Sequence, residues 1–185
     1  DESMNLIYTY SRVPIGNKQY IGSYKDCYGL PAEMRNSDDY TYGTLVKITE
    51  DEYGNDSIIQ YVDAKGVPKL NSDSVAMEVY IHDKYGRLIK QQSRNADGTL
   101  TIDNWGNCGV EYKWNDEYDI ISITYMDDKW QPMRMPGNRE NTGRENIIRA
   151  NYIYDKYRRQ IAEYYTDIEG NPDVNKLGTH KITYK

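Results

Sequence analysis

One tight turn recurs along this chain and limits what it can fold into. Its clearest copy is Asp83-Lys-Tyr-Gly86, entered through Met77, Val79 and Ile81 and left through Arg87-Leu88-Ile89. The aspartate stands where its side chain accepts from backbone N–H groups two residues on, and the glycine stands where the chain must turn through positive φ. A two-residue alternation on either side of such a turn is the mark of a β-hairpin. Asn95-Ala-Asp-Gly98 then closes the second strand with another turn.

The same unit is read four times. Asp51-Glu-Tyr-Gly54 leads through Ser57-Ile-Ile-Gln-Tyr61 to Asp63-Ala-Lys-Gly66, and Asp83 leads to Gly98. Asp116-Glu-Tyr-Asp119 leads through Ile121-Ser-Ile-Thr-Tyr125 to Asp127, and Asp155-Lys-Tyr-Arg158 leads through Ile161-Ala-Glu-Tyr-Tyr165 to Asp167. On this reading the first-turn aspartates fall at 51, 83, 116 and 155, and two copies have lost the turn glycine, to Asp119 and Arg158. A divergent copy opens the chain, with Tyr8-Thr-Tyr10 as its entering strand and Gly16-Asn17 as its turn. His180-Lys-Ile-Thr-Tyr-Lys185 reads as the entering strand of a further copy, or as a strand that pairs back to close the array. The expected fold is all-β: tandem β-hairpin repeats in an elongated or curled antiparallel sheet array over residues 1–185, in units of about 1–36, 37–75, 76–108, 109–148 and 149–185. The longest irregular stretch, Met133–Asn146, is the expected insertion. Within it Thr142-Gly-Arg-Glu145 resembles a capping box and suggests a short helix around 141–149.

Tyr80-Ile-His-Asp83-Lys-Tyr-Gly86-Arg87-Leu88, followed by an aspartate–glycine turn, resembles the YD repeats of the RHS family. Tyr152-Ile-Tyr-Asp155 keeps half of that motif, and the recurring Val67-Pro-Lys-Leu-Asn71 and Asn171-Pro-Asp-Val-Asn175 make it look like a longer-period bacterial variant. The resemblance covers nearly the whole chain. It implies β-strand arrays that serve as shells, stalks or spacers of exported and cell-surface proteins, with no catalytic residues in the repeats.

Composition agrees with a thin array. Hydrophobic residues make up 38% and include 20 tyrosines but no Phe, and mean hydropathy is -0.91. Tyrosine rings then supply the apolar area while their hydroxyls stay wet. Net charge is -6 and uneven: residues 129–185 carry 11 Lys and Arg against 7 Asp and Glu, the rest 12 against 22. That asymmetry suits head-to-tail self-association. Arg134, Arg139, Arg144 and Arg149 lack interleaved aromatics, so no nucleic-acid partner is expected. No apolar run has membrane-spanning length, so no membrane insertion is expected. The chain begins at Asp1 without Met, which reads as an excerpt of a longer protein or a processed chain. Cys27 and Cys108 lie in no metal-ligand spacing.

The aspartates could pair as glycosidase carboxylates, but each sits where a hairpin turn wants one. No Asp-x-Asp-x-Asp-Gly calcium loop, nucleophile elbow or phosphate-binding glycine loop is present, and His82 and His180 lie in distant repeats. No catalytic residue, metal or cofactor is assigned. The expected function is a non-catalytic structural or adhesive segment of a larger exported or cell-surface protein, extracellular in location, with a protein or glycan surface as partner. The alternative is a carbohydrate- or cell-wall-binding module using loop aromatics, with Trp105, Trp130, Arg134 and Arg139 as its candidate ligand-binding residues. Trp114, on a strand, is expected in a cross-strand ladder.

Overall fold

The local chemistry of the turns carries through to the fold. The computed structural model describes residues 9–26, 28–30, 34–35, 41–42, 45–136 and 144–184. At Asp51 the backbone N–H donates to Asn55 C=O at 2.8 Å, and Gly54 N–H donates back to Asp51 C=O. Asp51 Oδ1 then accepts from Tyr53 and Asn55 N–H, both at 2.9 Å. The same cassette closes at Asp26, Asp63, Asp83, Asp127 and Asp155. It is a type I turn followed by one residue at positive φ, the loop that joins strands with a one-residue bulge. Register shifts beside the turn, at Thr49/Glu50, Ile120/Ser122 and Ile153/Tyr154, are those bulges.

Among the described residues there is no helix. The strands are β1 (Thr9–Gly16), β2 (Gln19–Lys25), β3 (Met34–Arg35), β4 (Thr41–Tyr42), β5 (Leu45–Glu50), β6 (Asp56–Val62) and β7 (Met77–His82), followed by β8 (Leu88–Arg94), β9 (Gly109–Trp114), β10 (Ile120–Met126), β11 (Arg149–Tyr154), β12 (Gln160–Thr166) and β13 (Lys181–Thr183). The chain divides into two compact units, one of residues 1–80 with 94–99, the other of 81–93 with 100–185. In the first, β1, β2, β5, β6 and β7 pair antiparallel in that order, and β3 and β4 form a ladder of their own. In the second, β8 to β13 pair antiparallel in chain order. The all-β hairpin expectation therefore holds.

A third cassette, which the sequence reading did not separate, follows each second turn. It opens at Asn71, Asp103 and Asn175, whose side-chain oxygens accept from the N–H groups two and four residues on. Turns then begin at 51, 63 and 71, at 83, 95 and 103, at 115 and 127, and at 155, 167 and 175. From 51 to 83 and from 83 to 115 the period is the same 32 residues.

That regularity corrects the fourth copy. Its turn opens at Asn115, not Asp116: Asn115 N–H donates to Asp119 C=O, and Asp119 N–H donates to Asn115 Oδ1 at 2.8 Å. The residue at positive φ is accordingly Tyr118 (φ 66), not Asp119. The next turn, at Asp155, comes eight residues late because the third turn holds an insertion. Met135 N–H donates to Ile147 C=O and Asn146 N–H to Met135 C=O, the bonds that Asn71 makes with Val75 and Ser74. Asn146 (φ 69) keeps the positive φ of Ser74 (φ 63). The expected helix is absent from the described residues 144–149, which form a turn leading into β11. β13 pairs with β12 as an entering strand does, as the first of its two readings held.

Tyrosine is the packing material, as composition suggested. Tyr61, Tyr125 and Tyr165 hold the same place, two residues before a second turn, and all are buried. Each donates its N–H to the chain returning from the third turn and accepts from the chain leaving the second. The core of the first unit is Val46, Ile48 and Tyr61. That of the second is Tyr125, Met135, Ile147, Ala150, Tyr152 and Tyr165. Cys108 is a buried free thiol. Cys27 lies outside the described residues.

Candidate functional site

Of the residues proposed from sequence, Trp105, Trp130 and Arg134 are described. Trp105 donates its backbone N–H to Asp103 Oδ1 at 2.9 Å and packs, half-buried, against the core of the second unit, against which Val110 also packs. Trp130 occupies the positive-φ position of its turn (φ 58), where the equivalent turns carry Gly66, Gly98 and Gly170. Its Nε1 donates to Glu111 Oε1 at 2.8 Å, and Lys90 Nζ lies 5.4 Å from its ring centroid. Glu111 and Val110 are successive strand residues and point to opposite faces, so the two tryptophans are on opposite sides of the sheet. Trp114 donates Nε1 to Leu88 C=O at 2.7 Å, a bond from β9 to the backbone of β8.

Arg134 is held by Asp173 at 2.9 Å and donates to Asn146 C=O. Arg139 lies outside the described residues. The insertion's described end instead places Arg144 against Glu163 on β12, through two hydrogen bonds of 3.0 and 3.2 Å. Burial alone would lower the Arg144 pKa, but the Glu163 carboxylate outweighs it and raises the guanidinium further. Its guanidinium also lies 5.7 Å from the Tyr152 ring centroid. Glu145 C=O accepts from Lys176 N–H, so the insertion is tied to the third turn of the following repeat. These contacts are structural staples. Among the described residues no three His, Cys, Asp or Glu side chains gather as metal ligands, and no helix is long and apolar enough to cross a membrane.

A cavity of about 300 Å³ lies on one face of the first unit. Its floor is the buried Val46, Ile48 and Tyr61. Tyr10, Tyr24 and Tyr80 line it as well, and Arg12, Asp56 and Glu78 bring charge. The sheet sets these side chains together: Tyr10 pairs with Tyr24, Gly22 with Val46, Val46 with Tyr61, and Ile59 with Glu78. Gly22 makes the arrangement fit. A Cβ there would meet Tyr10 Oη at 2.6 Å and Val46 Cγ2 at 2.8 Å, so the Tyr10 ring lies across the bare backbone of β2. Tyr10 and Tyr24 have centroids 5.0 Å apart, tilted by 39°.

The charges are partly spent within the site. Arg12 bonds Glu50 at 2.6 Å and Asp56 at 3.0 Å, with its guanidinium 4.0 Å from the Tyr20 ring centroid. The Tyr20 hydroxyl donates to Glu50 at 3.2 Å, which raises its pKa, and the Tyr80 hydroxyl donates to Glu78. Burial raises the Tyr10 hydroxyl, with Arg12 opposing. Sequence reasoning missed this site because its residues are scattered over five strands. The one local signal was Gly22, a glycine inside a strand pattern, which marks close approach of another group.

The fold and this site define an all-β protein of tandem antiparallel hairpins with a tyrosine-lined cavity on a sheet face. No protein-family model matches the chain, and no curated protein matches it.

Proposed function

We propose that this chain is a non-catalytic structural and adhesive repeat segment of a larger exported or cell-surface protein. The observation that carries the reading is where the turn carboxylates go. At Asp26, Asp51, Asp63, Asp83, Asp127 and Asp155 a side-chain oxygen accepts from the turn's own backbone N–H groups. The residues that most resemble an acid–base pair are thus used to set the hairpins. The likeness to YD repeats and the 32-residue spacing of the turns support the same role.

A spacer should turn nothing over. The expected result is no saturable activity on ester, glycoside, phosphate and peptide reporters. Saturable turnover that a point variant abolishes would sink the reading. The charge asymmetry adds head-to-tail association: sedimentation should show oligomers at low salt that dissociate at high salt. A monomer at both ionic strengths would dismiss that part.

A further inference from the structure

We propose that the tyrosine-lined cavity of the first unit binds an amino sugar, its pyranose ring stacked on Tyr10 and its ammonium group paired with Glu78. The scaffold role stands whether or not this cavity takes a ligand, so the two can fail separately.

The first argument is the exposed aromatic ring in the lining. Tyr10 is 47% exposed although its ring is wedged over Gly22. A ring seated over bare backbone and still nearly half exposed offers apolar surface for stacking. The C–H face of a pyranose is the apolar surface that fits it, while the sugar's hydroxyls need polar partners at the rim. Tyr24 and Tyr80 line the same cavity. The cavity's volume is at the small end for small-molecule sites, suited to one or two sugar rings.

The second argument is charge. Two carboxylates, Glu50 and Asp56, hold the one guanidinium, Arg12, and a third, Glu78, lines the same cavity. Arg12 is committed to Glu50 and Asp56, so it is poorly placed to receive an acidic sugar. Glu78 has a neutral hydroxyl, that of Tyr80, as its hydrogen-bond partner. Its field reaches Asp73, whose pKa is raised by burial and by Glu78. A ligand cation entering here meets a carboxylate and tyrosine faces at once, the combination that favours ammonium groups. Arg12 over Tyr20 is the same chemistry within the protein. A uronic acid would be repelled, and a neutral N-acetyl sugar would forgo the ion pair.

The test is calorimetric titration of the whole chain, at low ionic strength, with a glucosamine tetramer, its N-acetylated form, a galacturonate tetramer and spermine. Saturable binding of the glucosamine tetramer is expected, with the N-acetylated form weaker by about tenfold and no galacturonate binding. Glu78→Gln and Gly22→Ala should each weaken binding by about tenfold, the second by lifting the Tyr10 ring off its seat. Trp130→Ala should leave binding unchanged. Glu78→Gln is nearly isosteric, and circular dichroism checks that it is folded. Equal binding of the two glucosamine forms, undiminished binding by Glu78→Gln, or no saturable binding would overturn the proposal. Spermine binding as tightly as the tetramer would leave only a cation site and overturn the sugar assignment.

Discussion

At the fourth position of these turns the backbone needs positive φ, and glycine fills it unless a side chain has a task there. Gly54, Gly98 and Gly170 face open space, with nothing there for a side chain to meet. Arg158 reaches back to Asp119 of the preceding repeat at 2.7 Å, Tyr118 meets Tyr85 edge-on at 6.5 Å, and Trp130 reaches Glu111. A side chain in this conformation costs about 1 kcal/mol. Trp130→Gly should therefore be more stable than Trp130→Ala by about 1 kcal/mol, although both lose the same ring. Urea unfolding of the pair measures it, and equal midpoints would show that the turn is unstrained. A second residue-scale case is Tyr152, whose hydroxyl is buried without a hydrogen-bond partner. Tyr152→Phe removes that unsatisfied group and should stabilise the chain by about 1 kcal/mol. A lowered melting temperature would mean that the hydroxyl has a partner in solution.

At the scale of elements, the turn cassette explains what could be read from sequence. Each hairpin is specified within five residues, so Asp51, Asp83 and Asp155 announced their turns without help from the rest of the fold. The fourth copy was misread by one position because Asn115 and Asp116 are adjacent turn formers. Only the bond from Asp119 N–H to Asn115 shows which one opens the loop. The cavity was less legible still. Tyr10, Gly22, Val46 and Tyr61 become neighbours through three strand pairings, and no local pattern encodes that. Trp105 and Trp130 looked like loop aromatics because their turns were visible while the strands they fold onto were not. The insertion was visible as irregular sequence, but its purpose lies in Glu163, which is 5% exposed and pairs with Arg144. Arg144 is itself 36% exposed, so water tempers the pair. Arg144→Ala should still destabilise by about 2 kcal/mol, because a buried carboxylate is left behind, and Glu163→Gln in the same chain should recover part of the loss. A double-mutant cycle in urea decides it, and additive effects would count against a staple.

For the whole molecule, pH is the variable that reaches every repeat. Several turn carboxylates have lowered pKa values. Asp97 is held down by the Thr99 hydroxyl, Asp119 by the Arg158 side chain, Asp155 by the Arg159 backbone N–H, and Asp167 by the Asn171 side chain. Their contribution is present above the unfolded carboxylate value of about 3.9 and is lost as pH falls through the lower folded values. At the alkaline end the displacement is opposite. Burial pushes the Cys108 thiol up to about 11 and the Tyr165 hydroxyl up to about 12, and raises Tyr125 as well. The unfolded chain ionises these groups first, so stability falls as pH rises from about 9 for the thiol and about 10 for the tyrosines toward those folded values. Urea midpoints should thus be level through neutral pH and drop on both sides. The acid limb can be assigned without breaking a turn, because Asn71, Asn115 and Asn175 already do the aspartate's work. Asp155→Asn should fold, lose the Arg159 ion pair, and show a shallower acid drop than the parent chain. Tyr165→Phe should soften the alkaline drop in the same way. If the parent midpoint stayed level to pH 11, the buried tyrosines would have to be open to water, and the packing scheme built on Tyr61, Tyr125 and Tyr165 would fail with it.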